Sequence, residues 1–208
     1  SQLFLTAACA FLATASLHAI GFDFDSNGVR IHYLDEGEGE PVLLIHGYTA
    51  SATLNWGIPG ILKNLAVDHR VIALDNRGHG RSDKPEDMED YGAQMVEDAV
   101  RLLDHLGIES AHVVGYSMGG MITLKMSVTH PDRMRSAVIG GMGWTRLDDE
   151  THSRYEGSTA RQTSPALTAC FKRFWELGIT EEELAAVKVP MTVLVGTEDG
   201  LLRRSVEP

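Results

Sequence analysis

The chain has 208 residues, 43% of them hydrophobic and 23% charged, which is a globular composition and a length suited to one large domain with a real core. Its formal net charge of -11 argues against nucleic acid or an anionic membrane surface as partner, since both need clustered Lys and Arg.

Residues 1–19, SQLFLTAACAFLATASLHA, contain no Asp, Glu, Lys or Arg and are rich in Ala, Leu and Phe. That is the composition of a secretory h-region followed by small residues, with cleavage expected after Ala15 or Ala19. The expectation is a secreted or periplasmic protein whose domain is residues 20–208, with no stable membrane span in the mature chain. The alternative is an apolar first helix lying on the domain of a cytoplasmic protein. Cleavage would remove Cys9 and leave Cys170 alone, so no intramolecular disulfide framework is available.

In FDFDSNGVRIHY, Phe22 and Phe24 alternate before Asn27-Gly28, and Val29, Ile31 and Tyr33 alternate after it, which predicts a hairpin. Unbroken apolar runs follow at Val42 to Ile45, Val71 to Leu74, Val113-Val114 and Met191 to Val195, with a weaker one at Ala137 to Ile139. Short β-branched runs of this kind fit strands covered on both faces, as in a parallel sheet. Between them, Met95, Ala99, Leu102, Leu103 and Leu106 fall on one helical stripe that Gly107 is placed to end, and Met118 to Met126 reads as a second helix ending near His130-Pro131. The expected fold is α/β, a mostly parallel sheet with an N-terminal hairpin and flanking helices, with no internal repeat or second-domain linker.

In such a sheet, function collects at the carboxyl ends of the strands. The turns there read His46-Gly47-Tyr48, DNRGHGRSD from Asp75, GYSMGG from Gly115, and GTEDG from Gly196. The third carries chemistry. A serine on a sharp strand-to-helix turn must take strained backbone angles, and small neighbours let strand and helix approach; Gly115, Gly119 and Gly120 supply them. The helix N-terminus favours negative charge developing on a bound substrate.

Taken in this order, the four turns resemble those of the α/β-hydrolase fold superfamily, in its esterase, lipase and C–C hydrolase-like branch, from about Phe22 to the last residue. The resemblance implies that Ser117 attacks a carbonyl carbon and that the backbone N–H groups of Met118 and Tyr48 form an oxyanion hole, each such donor contributing about 3 kcal/mol to the transition state. It implies that Asp199 orients the catalytic histidine, with Asp148 and Asp149 as fallback acids. His46, His79 and Arg77 read as turn architecture. Haloalkane dehalogenases and epoxide hydrolases of this fold use an aspartate nucleophile, so Ser117 points to acyl-type transfer on a small-molecule ester or related carbonyl substrate, without cofactor. No P-loop, no dinucleotide-type glycine motif and no metal-ligand spacing is present.

Residues 143–188 sit where this superfamily inserts a lid. SPALTACFKRFWELG and TEEELAAVKVP read as two helices, the second with Thr180 and Glu183 as a capping box. Phe171, Phe174 and Trp175 either line an acyl pocket or simply pack.

The base is the difficulty. The superfamily places its histidine after the final strand, yet the last of the nine histidines here is His152. The expectation is a C-terminally incomplete hydrolase lacking its last strand and helix, inactive as given and poorly soluble. The alternative is a non-catalytic binding protein of the same fold in which Ser117 is a relic.

Overall fold

Asn27 and Gly28 both adopt positive φ, 56° and 88°, the geometry that a two-residue hairpin turn demands, and they join β1 (Ile20–Ser26) to β2 (Val29–Glu36). The structure, a computed structural model, describes residues 20–158 and 164–198. The expected signal segment, residues 1–19, and Asp199 lie outside the described residues.

Five further strands follow: β3 (Glu40–Ile45), β4 (His69–Leu74), β5 (Ala111–Tyr116), β6 (Met134–Gly140) and β7 (Met191–Leu194). Each contains one of the apolar runs. They form one seven-stranded sheet in the order β1-β2-β4-β3-β5-β6-β7, antiparallel at β1/β2 and β2/β4 and parallel from β4 to β7.

The unbroken runs are explained by cover on both faces. Leu43, Ile45, Ile72 and Leu74 join one core with α2 (Ala93–His105) and α3 (Met118–Thr129). Their neighbours Val42, Leu44, Val71 and Ala73 join a second core with Trp56 and with Leu62 of α1 (Ile61–Leu65). Alternate side chains of one strand therefore serve opposite layers. Gly107 takes φ 66° just beyond α2, where a left-handed residue ends a helix.

Two stretches differ from expectation. Residues 53–65, to which the sequence assigned no element, form a π-helical turn at Thr53–Gly57 and then α1, held by burial of Trp56 and Leu62. The segment expected to hold two helices holds three plus a turn: α4 (Asp149–Glu156), α5 (Pro165–Lys172), a 3-10 turn at Phe174–Leu177 and α6 (Glu181–Ala186). Asp148 nucleates α4 by accepting from Thr151 N at 2.8 Å. α6 has the expected capping box: Thr180 N donates to Glu183 Oε2 at 2.8 Å and Glu183 N donates to Thr180 Oγ1 at 3.1 Å. At the far edge of the sheet, β7 leaves Val193 and Leu194 exposed. Among the described residues no helix is long and apolar enough to cross a membrane.

Candidate active site at the carboxyl edge of the sheet

The chain leaves β3 for β4 on one side and returns to β5 on the other. That reversal opens a crevice at the carboxyl ends of β3 and β5, the place where open α/β sheets bind ligands. Gly47 follows β3 and Ser117 follows β5, and a Cβ built on Gly47 would stand 3.3 Å from Ser117 Cβ.

Ser117 caps α3 with φ 53° and ψ -117°, a conformation costing an ordinary residue about 1–3 kcal/mol. Its N–H donates to Gly140 O at 2.8 Å, and its carbonyl accepts from Gly120 N at 2.8 Å and Met121 N at 3.2 Å. Both flanking glycines are required by contact. A Cβ on Gly115 would lie 2.1 Å from Gly119 O, and one on Gly119 would lie 2.0 Å from Ile45 O. Without side chains there, the start of α3 sits directly against the ends of β3 and β5. The Ser117 side chain is half-buried, and its hydroxyl makes no hydrogen bond among the described residues.

Met118 is the first residue of α3 and is 1% exposed, so its side chain is core while its N–H belongs to the helix-start donors without an intrahelical partner. Across the crevice, the N–H of Tyr48 has no acceptor among the described residues. The next residue, Thr49, takes φ 59°, a genuine outlier for a β-branched side chain. Three bonds hold this loop: Gly47 N donates to Asn55 Oδ1 at 2.8 Å, Ala50 N to Gly47 O at 3.2 Å, and Ala52 N to Asp75 Oδ1 at 2.7 Å.

The neighbouring histidines make no bond to Ser117, although His79 Nε2 is buried without a partner among the described residues. His46 is fully buried, its Nε2 accepts from Asn76 N at 3.0 Å, and its Nδ1 therefore carries the proton donated to Gly47 O at 2.7 Å. Burial, reinforced by His79, pushes the His46 imidazole down to about 4. His79 is also buried and held below the usual imidazole range by desolvation; its Nδ1 lies 3.0 Å from Arg77 O. His152 pairs with Glu156 and packs at a tilt against Trp175, ring centroids 4.3 Å apart. No described imidazole bonds the Ser117 hydroxyl. Asp148 spends its carboxylate on the cap of α4, and Asp149 is that helix's first residue, so neither fallback acid is presented to Ser117 as a bonded partner.

The turn after β4 is a scaffold. Asp75 accepts from Ala52 N with one oxygen and from Arg81 N with the other at 2.8 Å, and a Cβ on Gly80 would meet its carboxylate at 2.1 Å. Ser82 Oγ donates to Asp75 O at 2.6 Å. Arg77 makes a bidentate pair with Asp98 of α2, both bonds 2.6 Å and both residues buried.

Three contributors escaped the sequence reading. Asp98 sits inside the apolar stripe of α2, and a carboxylate there is itself a signal of a buried partner. Asn55 lies in a stretch to which the sequence assigned no element. Thr49 carried no signal, because positive φ at threonine is imposed by the loop's anchors. Of the aromatic trio, Phe171 and Phe174 pack with Tyr48 and Tyr155, centroids 5.1 to 5.9 Å apart, while Trp175 turns to His152 and Arg173. Among the described residues no group of three His, Cys, Asp or Glu could hold a metal ion.

A family model described as alpha/beta hydrolase fold matches residues 40–183. The chain is 39% identical over 124 residues to a 2-hydroxymuconate semialdehyde hydrolase of Pseudomonas sp. strain CF600, a match spanning 59% of this chain and 43% of that protein. It is 37% identical over 138 residues to a haloalkane dehalogenase of Psychrobacter cryohalolentis, spanning 65% of this chain and 44% of that one. These matches take in less than half the length of either relative. A solved meta-cleavage product hydrolase from Pseudomonas fluorescens IP01, a serine-to-alanine mutant complexed with acetates, superposes with a TM-score of 0.68 at 25% identity, covering 86% of this chain and 80% of that one.

Proposed function

The chain belongs to the alpha/beta hydrolase fold family, and from that premise we propose that it is a serine hydrolase, acting through an acyl-enzyme on a small-molecule ester or related carbonyl substrate. The observation that carries the proposal is Ser117 itself: strained, at a helix N-terminus, and with neither its hydroxyl nor the nearby Tyr48 N–H bonded among the described residues.

In this reading Ser117 Oγ attacks the carbonyl carbon and its proton passes to an imidazole base. The carbonyl oxygen becomes an oxyanion held by the N–H groups of Met118 and Tyr48. Collapse expels the alcohol, which takes the proton, and water then repeats the sequence on the acyl-serine. Asp199 is assigned the acid that orients the base, and residues 143–188 the lid. Because no described imidazole bonds the Ser117 hydroxyl, the base is assigned to none of them, and the 208 residues alone are proposed to be inactive.

The serine favours acyl transfer over the chemistry named for the dehalogenase relative, and the hydroxymuconate semialdehyde hydrolase makes a vinylogous carbonyl substrate a natural second class to assay. The unbonded Ser117 hydroxyl also suits a binding protein of the same fold. Acetylation of Ser117 by p-nitrophenyl acetate with imidazole supplied from solution separates these readings, since a nucleophile is acylated and a relic in a binding protein is not. Hydrolysis of p-nitrophenyl acetate and butyrate by the chain and by Ser117→Ala tests the assignment of the base. No Ser117-dependent turnover is expected from the 208 residues, and turnover that disappears in Ser117→Ala would show that an imidazole of this chain does serve as base.

A further inference from the structure

Tyr48 is assigned to the oxyanion hole through its backbone, which leaves its side chain unexplained. The phenol runs away from the strand end and donates to the carbonyl oxygen of Leu167, in the first half of α5, at 2.7 Å. Its ring lies 5.1 Å from Phe174 and 5.9 Å from Phe171 on the α5 side, and 5.7 Å from His79 on the sheet side. One side chain thus spans the crevice from the sheet to the helical segment above it.

The bond is placed to matter. Leu167 belongs to a helix, so its carbonyl has a place in the backbone ladder and receives the phenol as an extra donor. The ring is half-buried among apolar groups, where a phenol without a partner would be costly. On the loop side there is little slack, because Gly47 is pinned by Asn55 and Thr49 is already at φ 59°. A shift of α5 that drags the phenol must therefore be taken up at the backbone of Tyr48, where the unbonded N–H is.

The helical segment has its own mooring. Glu176, in the 3-10 turn after α5, accepts from Ala93 N at the start of α2 at 3.1 Å and pairs with Arg173. A Cβ on Gly92 would collide with the Glu176 carboxylate, so Gly92 keeps that berth open. Glu176 fixes the segment to the body without touching Tyr48 in any hydrogen bond or ring contact.

We propose that the Tyr48 side chain is a positioning strut that couples the placement of α5 to the geometry of the oxyanion loop, so that the N–H donor is set for catalysis only when the segment above it is docked. This rests on the assignment of Tyr48 to the oxyanion hole. It makes the site responsive to whatever moves α5, a substrate entering beneath it included, and it makes the phenol a group that acts through its own backbone and not on the substrate.

The test is a double-mutant cycle read by hydrogen–deuterium exchange, which needs no turnover. Tyr48→Phe keeps the ring and its packing and removes only the donor to Leu167. Exchange is expected to accelerate roughly fivefold both in residues 47–52 and in residues 165–172, the change carried by one ordinary hydrogen bond. Glu176→Ala is expected to accelerate residues 47–52 in the Tyr48 background and to add nothing there in the Tyr48→Phe background. Additive effects, an unchanged loop in Glu176→Ala, or acceleration on one side only in Tyr48→Phe would each overturn the strut, because a merely local packing role gives no coupling between the two. The control Ser117→Ala leaves the strut in place, so failure of Ser117 to react refutes the serine hydrolase while the cycle still decides the strut.

Discussion

The turn after β4 and the turn after β5 look alike in sequence, both glycine-rich and polar, and they differ in how far their side chains are bonded within the protein. After β4 the carboxylate, the hydroxyl and the guanidinium are spent, with Asp75 using both oxygens, Ser82 bonding Asp75 and Arg77 locked to Asp98, while Asn76 Oδ1 and His79 Nε2 are buried without a partner among the described residues. After β5 the backbone is strained and the hydroxyl of Ser117 is uncommitted among the described residues. Polar groups satisfied within the protein build a scaffold, and those held rigidly without partners are available to a substrate. The scaffold in turn holds the crevice, since Asp75 reaches across to Ala52 on the loop that carries Tyr48.

The contrast predicts opposite responses to substitution. Asp98→Ala strands the buried Arg77 guanidinium, and a loss of about 3–5 kcal/mol is expected in urea unfolding; a loss below about 1 kcal/mol would show that the pair is solvated and the scaffold looser than described.

Acid acts next. The folded protein holds His46 neutral down to about 4 against an ordinary 6.5, so between those values the unfolded chain binds the extra proton. The stability that neutral His46 preserves is full above pH 6.5 and falls as pH drops toward 4, by up to about 1.4 kcal/mol per pH unit. Unfolding midpoints at pH 7 and pH 5 should converge more for His46→Asn than for the wild type.

At the elbow the sign reverses. Ser117→Gly relieves φ 53° and is expected to raise stability by about 1 kcal/mol while abolishing any acylation. A destabilised Ser117→Gly would mean that the turn is not strained. The smallest effect belongs to the exposed Arg154–Glu150 pair, where Glu150→Ala should change stability by less than about 0.5 kcal/mol.

Much of the fold was legible because its signals are local. Asn27-Gly28 sets a hairpin, uninterrupted apolar runs mark strands covered twice, and Thr180 with Glu183 writes a helix start. The elbow was legible for a similar reason, since Gly115 and Gly119 are demanded by clashes at fixed spacing. What was hidden depends on contacts distant in sequence. Asn55 matters because Gly47 N reaches it, Asp98 because Arg77 does, and the break between α5 and the 3-10 turn follows docking of Glu176 on α2. Asp148 illustrates the converse: a carboxylate considered for chemistry is used by its own helix.

The most direct test of Ser117 as nucleophile supplies the base from solution. The chain is incubated with p-nitrophenyl acetate and imidazole, and the acetylated residues are mapped by peptide mass spectrometry against Ser117→Ala. A nucleophilic Ser117 predicts imidazole-dependent acetylation concentrated on the peptide holding Ser117, and loss of that adduct in the variant. Acetylation spread over surface lysines, with Ser117 unmodified, would contradict it.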